Sequence, residues 1–214
     1  MGDVYIGTIQ TIQQGIQNKQ NVNPALVKET LDRAIHEFEE ITRIDPTGHE
    51  AYLMLGQLYR INDAPEKAEE VYKKFLGIEP GSEEGVVALA NLSMEANHNA
   101  EAIELLTNFL KQQPLSDRAL ETLGDAYTSI GDTAGAADAY KRAAALNDDE
   151  DLRDKLAEAL FDDNRLEEAA KLYEQILQDD QANVMILQRL GHIYRRQMRY
   201  QQSTDLLNPR MRRN

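Results

Sequence analysis

The chain carries four histidines, His36, His49, His98 and His192, together with many carboxylates, the residue types that acid–base catalysis and metal binding use. Their spacing supplies neither chemistry. A pair of metal-binding imidazoles on one helix stands within a single turn, and no two histidines here lie that close. The absence of cysteine excludes disulfides, thiol nucleophiles and thiolate-bound zinc. No glycine-rich phosphate loop and no nucleophile elbow occurs. The acids Glu37, Glu39 and Glu40 fall on a predicted helix face, where solvated surface accounts for them. We therefore expect a non-enzymatic chain with no catalytic residue, no metal and no cofactor.

The 9 tyrosines suggest a stacking surface for bases or sugars. However, Tyr52, Tyr59, Tyr72, Tyr127, Tyr140, Tyr173 and Tyr194 recur at fixed phase in a periodic pattern, as do Phe38, Phe75 and Phe109. Recurrence at apolar positions assigns them to a core. The overall charge points the same way. With 23 basic against 37 acidic residues the 214-residue chain carries -14, at a pI near 4.7, and its field repels phosphate backbones. Nucleic acid is not an expected partner. No run approaches the roughly 18 apolar residues of a membrane span, so no membrane insertion is expected. The opening residues, Met1 to Ile6, have neither the basic stretch nor the apolar core of a signal peptide. The composition suits a soluble protein, either cytoplasmic or exported to a periplasm after its signal is trimmed.

The elements that position these side chains follow from one period. Pro46, Pro80 and Pro114 stand at intervals of 34 residues. Between them Tyr52, Leu55-Gly56, Tyr59, Ala68, Tyr72 and Phe75 are answered one period on by Val86, Leu89-Ala90, Ser93, Ala102, Leu106 and Phe109. The next copies read Leu120, Leu123-Gly124, Tyr127, Ala136, Tyr140 and Ala143, then Leu156-Ala157, Leu160, Ala169, Tyr173 and Ile176. A fifth begins Leu187, Leu190-Gly191, Tyr194 and reaches Ser203 and Leu207. Within each copy two stretches carry apolar residues at i, i+3, i+4 and i+7, the signature of two amphipathic helices. Polar turns separate them at Asn62 to Pro65, Asn97 to Asn99, Gly131-Asp132 and Asp163-Asn164. The small residues, Gly56, Gly124, Gly191 and the alanines at 68, 102, 136 and 169, are spaced to let the two helices approach closely.

The pattern of an aromatic, Leu-Gly, Tyr, a small Ala, an aromatic and a closing Pro resembles the tetratricopeptide repeat. The resemblance spans residues 49 to 208, although Trp is absent throughout and Tyr52 is the only aromatic at the leading site. It implies an all-α, right-handed superhelical solenoid of stacked antiparallel hairpins. We expect repeats at 49–82, 83–116, 117–149, 150–183 and an incomplete 184–208, followed by a basic tail at 209–214. Residues 1–48 form a modified hairpin capping the array. It comprises a helix over 3–18 and a second helix from Asn23-Pro24 to about Arg43.

In this family the first helix of each hairpin lines a concave groove, into which the residue after Leu-Gly points. The matching residues are Gln57, Asn91, Asp125, Glu158 and His192. Neighbours on the same helix face add Leu53, Val87, Glu121, Asp154 and Gln188, then Arg60, Met94, Thr128, Phe161 and Arg195. The predicted groove is zoned. It is apolar and neutral early, acidic across Glu121, Asp125, Asp154, Glu158 and Asp162, and basic at Arg195 and Arg196. Such zoning suits a peptide or helix of another protein bearing basic and apolar side chains, which makes the chain an interaction scaffold or adaptor. Co-chaperones of this family hold acidic chaperone tails with Lys and Asn. At the matching sites stand Leu53, Val87, Glu121 and Asp125, with Asn91 alone fitting, so acidic tails are not expected to bind. Asp125 and Glu158, read as solvent-facing, should accept Lys without loss of fold.

From Arg189 onward seven arginines face one acid, Asp205, so this stretch is +6 while the rest sums to -20. Three accounts fit: head-to-tail homo-oligomers, contact with an anionic surface, or a longer array interrupted near Pro209. Polarised charge makes a structural or assembly subunit the alternative to the adaptor.

Overall fold

The computed structural model describes residues 24–147, 149–179, 183–199 and 202–203, and every regular element among them is helical. The expected helix over 3–18 and the basic tail at 209–214 lie outside the described residues. The chain divides into two compact units, Met1–Ala96 and Asn97–Asn214, and the division falls at the turn inside the 83–116 repeat.

The first unit holds α1 (Pro24–Ile44), α2 (His49–Ile61), α3 (Pro65–Ile78) and α4 (Glu83–Glu95). Along α1, Leu31, Ala34, Ile35 and Phe38 are buried, the one-sided stripe that an amphipathic helix presents to its neighbour. Each helix packs on the next, and α2 also touches α4, because the first helices of successive repeats are neighbours. The second unit holds α5 (Asn99–Gln112), α6 (Asp117–Ser129), α7 (Thr133–Ala144), α8 (Glu150–Asp162), α9 (Leu166–Asp179) and α10 (Val184–Arg196), again packed in sequence.

Local chemistry explains where the helices start and stop. Ser82, Ser116, Asp132, Asp149 and Asn183 each accept an amide hydrogen bond from the residue three positions on, satisfying a donor at a helix start. Pro65 occupies the first turn of α3, where its missing N–H costs nothing. Helix ends reuse one turn, in which Asp63, Gly131, Asn164 and Met198 take φ between 55° and 75°. The following amide then reaches back five residues, as in Ala64 N–H to Tyr59 O at 2.9 Å and Arg165 N–H to Leu160 O at 2.8 Å.

Within a hairpin a glycine faces an aromatic ring. A Cβ on Gly56 would lie 2.2 Å from the Tyr72 ring, and one on Gly124 would lie 2.4 Å from Tyr140, so both positions require glycine. Gly191 differs, since a Cβ there meets nothing within 4 Å among the described residues. Ala68, Ala102, Ala136 and Ala169 are fully or almost fully buried, as are Tyr72, Phe75, Leu106, Leu120 and Tyr173.

Candidate functional site

The residues expected to line a groove fall into both units, each of which forms its own surface. In the first unit Leu53, Asn91 and Met94 are half-buried, while Gln57 and Arg60 are exposed. Val87 is only 8% exposed and belongs to the core rather than to an open groove, because α4 turns that face inward. Arg60 pairs with Glu95 at 3.3 Å, joining α2 to α4. A cleft of about 480 Å³ also forms there between α1, α2 and α3, lined by Glu39, Arg43, Tyr52, Tyr59, Lys67 and Lys74. It includes none of the expected groove residues. Its Tyr59 hydroxyl donates to Glu39, and Lys67 Nζ sits 5.2 Å from the Tyr59 ring.

The second unit brings most of the expected acidic and basic residues together on α6, α8 and α10. A cleft of about 510 Å³ opens between these helices, with α7 and α9 forming its floor. Its lining includes Thr128, Ala136, Tyr140, Asp154, Lys155, Glu158, Ala159, Asp162, Tyr173, Met185 and Ile186.

The acidic zone is not a row of free carboxylates. Lys155 on α8 reaches across to α6, bonding Glu121 Oε1 at 2.7 Å and Asp125 Oδ1 at 2.9 Å. Asp125 also accepts from the Tyr140 hydroxyl at 2.7 Å, and Thr128 Oγ1 lies 3.2 Å from that hydroxyl. The arrangement repeats one hairpin later, where Arg189 on α10 pairs with Glu158, which also accepts from Tyr173 at 2.8 Å. Burial opposes the charge on Lys155, but hydrogen bonds to Glu121 and Asp125 override it and raise its pKa. Burial and the adjoining carboxylates push the Tyr140 and Tyr173 hydroxyls up, so both stay protonated donors. Asp125 and Glu158 are therefore interhelical clamps with side chains 38% and 37% exposed, which corrects the expectation of two free solvent-facing acids.

What remains uncompensated is smaller and better placed. Asp154 Oδ1 is buried without a hydrogen-bond partner, and burial together with the like charges of Glu150 and Asp151 raises the Asp154 pKa. Asp162 is exposed at the end of α8, with no counter-ion among the described residues. Beyond it Phe161 meets His192 edge-on at 5.6 Å and carries the Arg189 guanidinium at 4.4 Å. That stack fixes one wall. His192, Gln188, Arg195, Arg196 and Thr128 are exposed.

Sequence reasoning missed Lys155, Arg189, the two tyrosine hydroxyls and the Met185–Ile186 wall. For the cations a signal existed, because Lys155 and Arg189 stand 34 residues apart, each directly after an expected groove position, Asp154 and Gln188. No group of three or more potential ligands for a metal occurs among the described residues.

Residues 49–82 and 87–151 match sequence profiles of the tetratricopeptide repeat. The human protein General transcription factor 3C polypeptide 3 is 28% identical over 133 residues, which is 62% of this chain and 15% of that protein. Among solved structures, YrrB, a TPR protein with an unusual peptide-binding site, superposes with a TM-score of 0.68 at 17% identity, covering 79% of this chain and 88% of that one. MamA gives 0.62 at 24% identity, covering 72% and 91%. Pseudomonas aeruginosa pilF gives 0.64 at 19%, covering 95% and 87%. Recurrent hairpins, the glycine–tyrosine contacts inside them and the profile matches agree: residues 49–82 and 87–151 are tetratricopeptide repeats.

Proposed function

We propose that this chain is a non-enzymatic interaction scaffold whose second-unit cleft holds an extended or helical segment of another protein. Family and fold support a protein-binding role, and stacked hairpins present long surfaces of the required kind. The observation that carries the finer reading is the cleft between α6, α8 and α10. Ala136, Ala159, Met185 and Ile186 give it apolar walls, while Asp154 and Asp162 bring carboxylates that form no ion pair among the described residues. A segment pairing an Arg or Lys with an aliphatic side chain satisfies both. An acidic segment would face the same carboxylates at a cost. In the first unit Val87 is buried and Arg60 is paired with Glu95, so neither is open to a partner there.

The test is fluorescence anisotropy with an array of short apolar peptides that carry one Arg, one Lys or one Glu. Basic peptides should bind wild type and weaken about tenfold on Asp154→Asn with Asp162→Asn. Equal binding of acidic and basic peptides, or affinity unmoved by the double substitution, overturns this reading.

A further inference from the structure

The second unit carries unsatisfied charge of both signs at two separate places. At the start of α8, Glu150 and Asp151 are exposed and Asp154, which lines the cleft with Met185, has a buried oxygen without a hydrogen-bond partner among the described residues; Val184 and Met185 at the start of α10 are 64% and 56% exposed. In the last turn of α10, Arg195 and Arg196 are exposed, with no acid paired to them among the described residues. Ten residues of helix separate Met185 from Arg195, about 15 Å along the axis, beyond what an arginine side chain spans. The two sets therefore cannot neutralise each other within one copy. The chain that follows extends the basic end: residues 204–214, outside the described residues, interleave Arg210, Arg212 and Arg213 with Leu206, Leu207 and Met211. That sequence has the chemistry the cleft lacks, guanidinium groups for Asp154 and for the exposed acids Glu150 and Asp151 one turn before it, and aliphatic side chains for the Met185–Ile186 wall.

We propose that the cleft receives the basic C-terminal stretch of a second copy of this chain, giving head-to-tail assembly. The proposal rests on the reading of the cleft as a segment-binding site and names its occupant. A contact of this heterologous kind leaves a free cleft on one copy and a free 204–214 stretch on the other, so assembly proceeds to chains or closed rings rather than stopping at a symmetric dimer. The whole chain at -14 repels its own kind, so the local pairing must act at short range, and added salt screens it.

Charge exchange provides the test, read as mass by sedimentation. Wild type should form multiples of the 24.2 kDa chain at low salt, with association about tenfold weaker at high salt if three exposed ion pairs hold it. A tail variant (Arg210→Glu, Arg212→Glu, Arg213→Glu) and a cleft variant (Asp151→Lys, Asp154→Lys) should each remain single. Mixed, they should associate, because each copy then finds a cleft or tail of opposite sign. Circular dichroism checks that both fold, and Asp151→Asn with Asp154→Asn replaces the cleft variant if lysine unfolds it, with loss of self-association then expected. Wild type that stays single at every concentration, or mixed variants that do not associate, overturns the proposal. A labelled peptide of residues 204–214 separates this failure from failure of the cleft reading. If it does not bind while the basic peptides of the array do, the cleft stands and the second copy falls; if neither binds, both fall.

Discussion

Replacing Asp125 and Glu158 together by Lys removes both interhelical clamps of the second unit and sets each new cation beside an old one. At Asp125 the Tyr140 hydroxyl loses a 2.7 Å bond to a carboxylate. A hydrogen bond to a charged group contributes about 1.5–3 kcal/mol, and the lower end applies because the Asp125 side chain is 38% exposed. The ion pair with Lys155 adds about 0.5 kcal/mol at that exposure, and the like charge that replaces it costs a similar amount. Each site thus loses about 2.5 kcal/mol. The clamps share no partner, so the losses nearly add, to about 5 kcal/mol, a large share of the about 5–15 kcal/mol that holds a typical domain. Asp125→Asn with Glu158→Gln keeps an acceptor for each tyrosine and should lose about 1–2 kcal/mol in total. Hydrogen exchange followed by mass spectrometry gives the readout, with protection expected to collapse across residues 117–179 while 49–95 serves as the internal reference. A double-Lys variant whose exchange and urea midpoint match wild type would refute the clamp assignment and return both acids to the open surface.

The remaining outcomes concern packing and pH. Gly56→Ala places a Cβ 2.2 Å from the ring of Tyr72, itself 1% exposed, and should destabilise by about 1–3 kcal/mol, checked by the urea midpoint. Glu168 is held by Arg165 and Lys141, which lower its carboxyl from 4.5 to about 2. Its contribution to stability is therefore present above about pH 4.5 and disappears as pH falls toward 2. Wild type should exceed Glu168→Gln in melting temperature at neutral pH and converge with it near pH 2. Parallel curves over that range would refute the assignment.

Two kinds of information separate in this chain. The 34-residue period, the turns at Asp63, Gly131 and Asn164 and the buried tyrosines were legible in the sequence because helix amphipathicity and turn chemistry are local, and repetition averages out exceptions. Even the need for a small residue at Gly56 and Gly124 followed from the period. The state of the groove acids did not. Whether Asp125 is a free charge or a clamp depends on Lys155, 30 residues away, and on a Tyr140 hydroxyl that periodicity assigned wholly to the core. Both tyrosine roles hold at once, since the ring packs inside while the hydroxyl tip reaches the cleft. Val87 likewise shares its helix position with half-buried Leu53, Glu121 and Asp154 and exposed Gln188, and burial by its own neighbours alone removes it from the surface. Helix formation is decided by residues within one or two turns. Charge compensation is decided by atoms a few ångströms apart in space, and only the stacked hairpins bring those atoms together, leaving Asp154 Oδ1 without a hydrogen-bond partner among the described residues.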